Sequence, residues 1–173
     1  MHKSLSLSFY RGMKNIKMFI NLLFLFCAIT VHGNSQKTGF DKSAFYYAME
    51  SNNIEVINTQ LNILKATTIT EKEAYEGALL MKKAGLVTKA KEKLNLFKAG
   101  RLKLEASIKK DNGNTEFYFL RLIIQEHTPK MVNYRNELEK DCLLIRANYK
   151  TLPQAVQQAI IQYSKKSKVL KPL

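Results

Sequence analysis

Phe117-Tyr118-Phe119-Leu120-Arg121-Leu122-Ile123-Ile124 decides how this chain is read, because seven of these eight consecutive side chains are apolar and only Arg121 is charged. Aromatic and β-branched residues of this kind suit a strand as well as a helix. A lone strand leaves its backbone N–H and C=O groups without partners, and the chain holds no second strand-like run to pair with it. The run therefore reads as a central helix buried on nearly every side. The turn Asp111-Asn112-Gly113-Asn114 precedes it, and Asn114 offers an oxygen to cap its first amides. Arg121 must then reach the surface or a neighbouring acid.

Working outward toward the N-terminus, Thr88 is placed to cap a long helix reaching about Lys110. On it Ala90, Leu94, Phe97, Leu104 and Ile108 share one arc of about 80° at helical spacing. Arg101 falls inside that arc. Two readings follow: Gly100 kinks the helix and turns Arg101 outward, or the guanidinium is partly buried and pairs with Glu76 or Glu105. Thr70-Glu71-Lys72-Glu73 matches a capping box, so a helix carrying Tyr75, Ala78, Leu79 and Met81 is expected from about Glu71, with Gly85 as its left-handed stop. Glu71, Glu73 and Glu76 complement the dipole at that helix start rather than forming an acid/base pair. Further back, Asp41 caps a short helix to about Ser51 carrying Phe45, Tyr46, Ala48 and Met49. Asn53 caps another with Ile54, Ile57, Leu61 and Leu64.

Toward the C-terminus, Thr128-Pro129 is expected to start a helix whose stripe is Met131, Tyr134, Leu138, Cys142, Ile145 and Tyr149, with Pro at its tolerated first turn. Leu152-Pro153 repeats the device for a last helix with Val156, Ala159, Ile160 and Tyr163. The fold class expected is all-α, with six to seven helices in stacked antiparallel hairpins forming one domain over residues 41–167. A basic tail follows at 168–173. A chain of 173 residues, 46% apolar and 24% charged, has the composition of a globular domain.

The first residues read differently. Lys14 and Lys17 precede the uncharged run from Met18 to Val31, and Gly33 follows, which together match a secretory signal peptide at 1–33 with a linker at 34–40. Met13 also begins a shorter version of the same signal, so the true start falls at Met1 or Met13. The fourteen-residue run is short of the roughly 20 needed to span a bilayer, and an uncleaved inner-membrane anchor is the alternative. Export to the periplasm or the cell exterior is expected. Of the two cysteines only Cys142 then remains, which excludes an internal disulfide and places the thiol in the core. His127 becomes the sole histidine, with no Cys, Asp or second His at metal-ligand spacing.

Removing Lys3, Arg11, Lys14 and Lys17 from the 28 cations leaves 24 against 14 acids, a net of about +10. The excess is mainly Lys. Phosphate recognition favours the Arg fork, so nucleic acid is not the expected partner and a solvated basic surface is the simpler account. Partner or anion contacts are assigned to Arg101, Arg121, Lys165, Lys166 and Lys168.

Gly85-Leu86-Val87-Thr88-Lys89-Ala90, followed by Leu94, resembles the turn between the two helices of a tetratricopeptide repeat. Leu104 to Glu116 resembles the end of one repeat and the start of the next, with Asn112 where that family usually has Pro. The resemblance covers residues 71–126. It departs from the family in a joining helix too long for one repeat, in Arg121-Leu122 where the family has Leu-Gly, and in the lack of a strict period. It implies helical hairpins side by side with a concave protein-binding face.

No Gly-rich phosphate loop, nucleophile elbow or zinc spacing occurs, and neither catalytic residues nor a cofactor are assigned. Three functions are expected in turn: an exported, non-catalytic protein-interaction module of a bacterial-type cell envelope; a binder of anionic polymers or membrane surfaces through its basic face; and a small hydrolase using a carboxylate site assembled only in the fold.

Overall fold

The computed structural model describes residues 39–171. The signal peptide at 1–33, the alternative start at Met13, Cys27 and most of the linker lie outside the described residues, as do Pro172 and Leu173. Within them the chain forms seven α-helices and no strand: α1 Lys42–Glu50, α2 Ile54–Ala66, α3 Lys72–Leu86, α4 Ala90–Lys110, α5 Thr115–His127, α6 Leu138–Asn148 and α7 Gln154–Ser164. Two short 3-10 turns, Lys130–Val132 and Tyr149–Thr151, flank α6. Among the described residues no helix is long and apolar enough to cross a membrane.

Three helix starts follow the expected chemistry. The side chains of Asp41, Asn53 and Asn114 each accept a hydrogen bond from an amide of the first turn, answering donors that have no partner inside the helix. α3 does not. No side chain caps it; Thr70 and Glu71 form a turn in which the Lys72 N–H donates to the Ile69 carbonyl, and the helix begins at Lys72. Thr88 likewise does not cap α4, which begins at Ala90 with no side-chain cap. Gly85 is not a left-handed stop either. α3 runs on through Leu86 and leaves by extended backbone at Val87, whose N–H donates to the Lys83 carbonyl.

α5 is the centre: eleven of its thirteen residues, Thr115 to Gln125, are buried. α3 and α4 form an antiparallel hairpin against it, closed by a crossing at Gly77 and Gly100 where two backbones touch. α4 is unbroken from Ala90 to Lys110, so Gly100 serves contact and not a kink. Arg101 is exposed, and its guanidinium lies over the Tyr134 ring at 4.6 Å. The two acids offered to it are occupied elsewhere, Glu76 with Lys103 and Glu105 with Arg121.

The expected helix from Pro129 is interrupted. Lys130–Val132 makes only a 3-10 turn, and Asn133 then takes the left-handed conformation (φ 50°, ψ 53°), after which α6 starts at Leu138. Met131 is 91% exposed as a result, while Tyr134, Leu138, Cys142 and Ile145 keep the buried side of the stripe. Pro153 precedes α7 as expected, and Val156, Ile160 and Tyr163 are buried.

Buried polar groups join the helices. Arg121 is 6% exposed and donates through Nε and Nη2 to both oxygens of the wholly buried Asp141, at 2.8 and 2.7 Å, and through Nη1 to Glu105 at 3.0 Å. Burial works against its charge, but those two carboxylates outweigh it and hold the guanidinium protonated. Glu116 is also buried and accepts from Lys42, from the Tyr46 hydroxyl at 2.9 Å and from the Tyr75 hydroxyl at 3.0 Å, tying α1, α3 and α5 together. Burial first, and the Glu116 charge second, keep both phenols protonated far above their ordinary range. The segment after α7 folds back rather than fraying: Leu170 is fully buried, and the Cys142 thiol lies 3.6 Å from the Val169 carbonyl oxygen.

Candidate functional site

A groove of about 1170 Å³ is lined by stripes from four helices, by the C-terminal end of α3, and by the 3-10 turn after α5. From α1 come Ser43, Tyr46, Tyr47 and Glu50, and from α4 Ala90, Lys93, Leu94 and Phe97. Both sets follow the spacing of a single helix face. α5 contributes Phe119, Ile123, Ile124 and His127; α7 contributes Ala155, Gln158, Ala159, Gln162 and Tyr163, with Lys166 just beyond. Met81, Lys82 and Ala84 close it from α3.

The apolar arc of α4 accounts for half of this. Its C-terminal members, Leu104 and Ile108, enter the core at 0% and 8% exposure, but the N-terminal members face the groove, and Leu94 is 51% exposed. Tyr47 at 68% and Val132 at 37% are further large apolar side chains left open on the lips. An apolar stripe that continues past the end of the core and meets open space is the arrangement by which a surface receives another apolar body.

Charge gathers at one corner. The Lys166 ammonium pairs with Glu50 at 3.1 Å and sits 5.7 Å over the Tyr163 ring. The Lys82 ammonium finds only the Asn52 amide oxygen at 3.3 Å, and no carboxylate among the described residues lies within ion-pair distance of it. Burial first, and then Lys166, pull its pKa below the ordinary lysine value, with Glu50 opposing them. Lys93 adds a third cation to the lining.

Of the residues expected to touch a partner, Lys166 alone lines the groove. Arg101 stacks on Tyr134, and Arg121 is sealed among acids. Among the described residues Lys165 reaches Gln162, and Lys168 contributes its backbone N–H to Glu126. The residues that local patterns did not single out are Tyr47, Lys82 and Lys93. One signal for Tyr47 was present: five consecutive apolar residues from Phe45 to Met49 cannot all face inward on one helix, and Tyr47 is the one that does not.

The groove contains one carboxylate, Glu50, and one imidazole, His127. The His127 Nδ1 lies 2.9 Å from the Ile123 carbonyl; since a carbonyl only accepts, Nδ1 carries the proton there. The Tyr163 hydroxyl, 3.4 Å from that nitrogen, donates to Glu126 at 2.8 Å. Among the described residues no group of three or more His, Cys, Asp or Glu side chains is placed to hold a metal ion. No protein-family model matches the chain, and neither a curated protein nor a solved structure does.

Proposed function

We propose that the chain is an exported, non-catalytic interaction protein of a bacterial-type cell envelope, and that its groove receives an amphipathic helix from another protein. Export rests on the leader-like segment ending near Gly33. The observation that carries the binding reading is the divided stripe of α4, whose apolar members on either side of Arg101 are buried only in its second half. The groove exceeds the roughly 300–1,000 Å³ of ordinary small-molecule pockets, is walled by helices, and offers alternate apolar and cationic positions, as helix-in-groove recognition requires. The hairpin resemblance over residues 71–126 agrees with a concave face built between helices.

Charge selects among occupants. The rim carries Lys82, Lys93 and Lys166 against Glu50, so a helix with acidic flanks is attracted. The chain's own apolar run from Met18 to Val31 is preceded by Lys14 and Lys17 and would bring cations to cations.

Leu94 and Leu102 provide the test, because both are exposed leucines on α4 and only Leu94 lines the groove. A fluorescein-labelled, sixteen-residue Leu/Ala amphipathic peptide with glutamates along its polar face is titrated with the full chain by fluorescence anisotropy. Leu94→Glu is expected to weaken binding by about tenfold or more, the range of a central interface side chain. Leu102→Glu is expected to leave binding unchanged, and both variants should keep the wild-type unfolding midpoint. Equal losses at the two positions, or no binding by the unsubstituted chain, would remove the groove as the site.

A further inference from the structure

Within that groove, we propose that the corner formed by Glu50, Asn52, Lys82 and Lys166 is a carboxylate seat, which takes the acidic end of the partner helix and fixes its direction. This assignment rests on the helix-binding reading and adds the chemistry of one end of the ligand.

The corner holds two ammonium groups and one carboxylate, an excess of one positive charge. Glu50 already bonds Lys166 at 3.1 Å, so the unanswered cation is Lys82. Its only described polar partner is a neutral amide oxygen at 3.3 Å. Lys82 is half-buried, in a wall that includes the apolar Met81 and Ala84. A cation taken partly out of water without a counter-charge is unfavourable in the empty protein, and one incoming carboxylate relieves it while leaving the Glu50–Lys166 pair intact. A second acid would leave the corner negative. A single carboxylate therefore matches, and the last turn of a helix with its terminal carboxylate supplies one. The negative end of that helix's own dipole points the same way.

The probe is a pair of Leu/Ala peptides identical but for the C-terminus, one ending in a free carboxylate and the other in the amide, each titrated by anisotropy against the full chain. The free acid is expected to bind about tenfold more tightly than the amide. That preference should vanish in Lys82→Gln and return in Lys82→Arg, with neither variant unfolding at a lower midpoint than the wild type. Equal affinity for acid and amide in the wild type, with Leu94→Glu still weakening both, would overturn the seat and leave the groove standing. An acid preference that survives Lys82→Gln would place the carboxylate elsewhere and also overturn it. Displacement of the peptides by dodecanoate in a Lys82-dependent manner would reassign the seat to an acyl carboxylate and overturn the peptide ligand. Failure of both peptides to bind would remove the seat together with the groove.

Discussion

Glycine has two opposite roles at residue scale here, separated by a measurement of sign. A Cβ on Gly100 would lie 2.5 Å from the Gly77 carbonyl oxygen and 2.9 Å from the Met81 amide nitrogen; one on Gly77 would meet the Gly100 oxygen at 2.7 Å and the Leu104 nitrogen at 2.8 Å. Both obstacles include backbone, so α3 and α4 must separate. Helix propensity alone favours alanine by about 1 kcal/mol at such positions. Crowding a close contact costs about 1–3 kcal/mol, so Gly100→Ala is expected to destabilise. Gly85 has nothing within 4 Å and no positive φ, and Gly85→Ala is expected to gain up to about 1 kcal/mol. Urea unfolding followed by circular dichroism reads both; a stabilised Gly100→Ala would refute the close-crossing account. These roles were not legible in the sequence. A glycine in a helical run announces that a side chain is missing, but the backbone it admits comes from a distant part of the chain, and no local pattern carries that distance.

At the scale of elements, periodicity found the helices and misjudged their interruptions. The positions Tyr134, Leu138, Cys142 and Ile145 keep helical spacing after the break at Asn133, because the segment between continues on the same side of the core. Only Asn133, a residue type that tolerates the left-handed region, marked the place. α4 presents the converse case: its arc was legible as apolar, but whether a stripe meets a core or open space depends on which helices stand opposite. Arg121 was legible as needing an acid. The acid is Asp141, a helix away, and their paired hydrogen bonds fasten α5 to α6. Arg121→Met strips the fully buried Asp141 carboxyl of its cation, and a loss of about 3–5 kcal/mol is expected. The double variant Arg121→Met with Asp141→Leu removes both charges and should recover much of that loss. Urea midpoints of the three proteins test this, and a double variant no better than the sum of its single variants would show that the pair is not energetically coupled.

For the whole molecule, one carboxylate gathers several bonds from the segment after α7, and that attachment borders the groove through Tyr163, His127 and Lys166. Glu126 accepts from the Tyr163 hydroxyl at 2.8 Å, the Ser167 hydroxyl at 2.7 Å and the Lys168 N–H, binding the tail to the end of α5. Burial by itself raises a carboxyl pKa. Here the bonds from Ser167, the Lys168 amide, Tyr163 and the Val169 amide prevail and hold Glu126 below its ordinary value of 4.5. A depressed acid contributes stability that is complete above its unfolded pKa and is lost as pH falls through the folded one. The contribution of Glu126 is therefore whole at neutral pH, begins to fall near 4.5 and continues to fall below it. Glu126→Gln replaces one accepting oxygen with a donating NH2, which faces either the Lys168 N–H or the Tyr163 and Ser167 hydroxyls, so it is expected to destabilise at pH 7 and to approach the wild type at pH 3. The wild-type-minus-variant difference isolates this group, since every other acid is common to both proteins. Urea unfolding at the two pH values measures that difference, with hydrogen exchange at the Leu170 amide, which is bonded to the Ser167 hydroxyl, reporting release of the tail. A difference that is the same at pH 7 and pH 3 would mean that the tail is held by packing of Leu170 and not by the Glu126 charge.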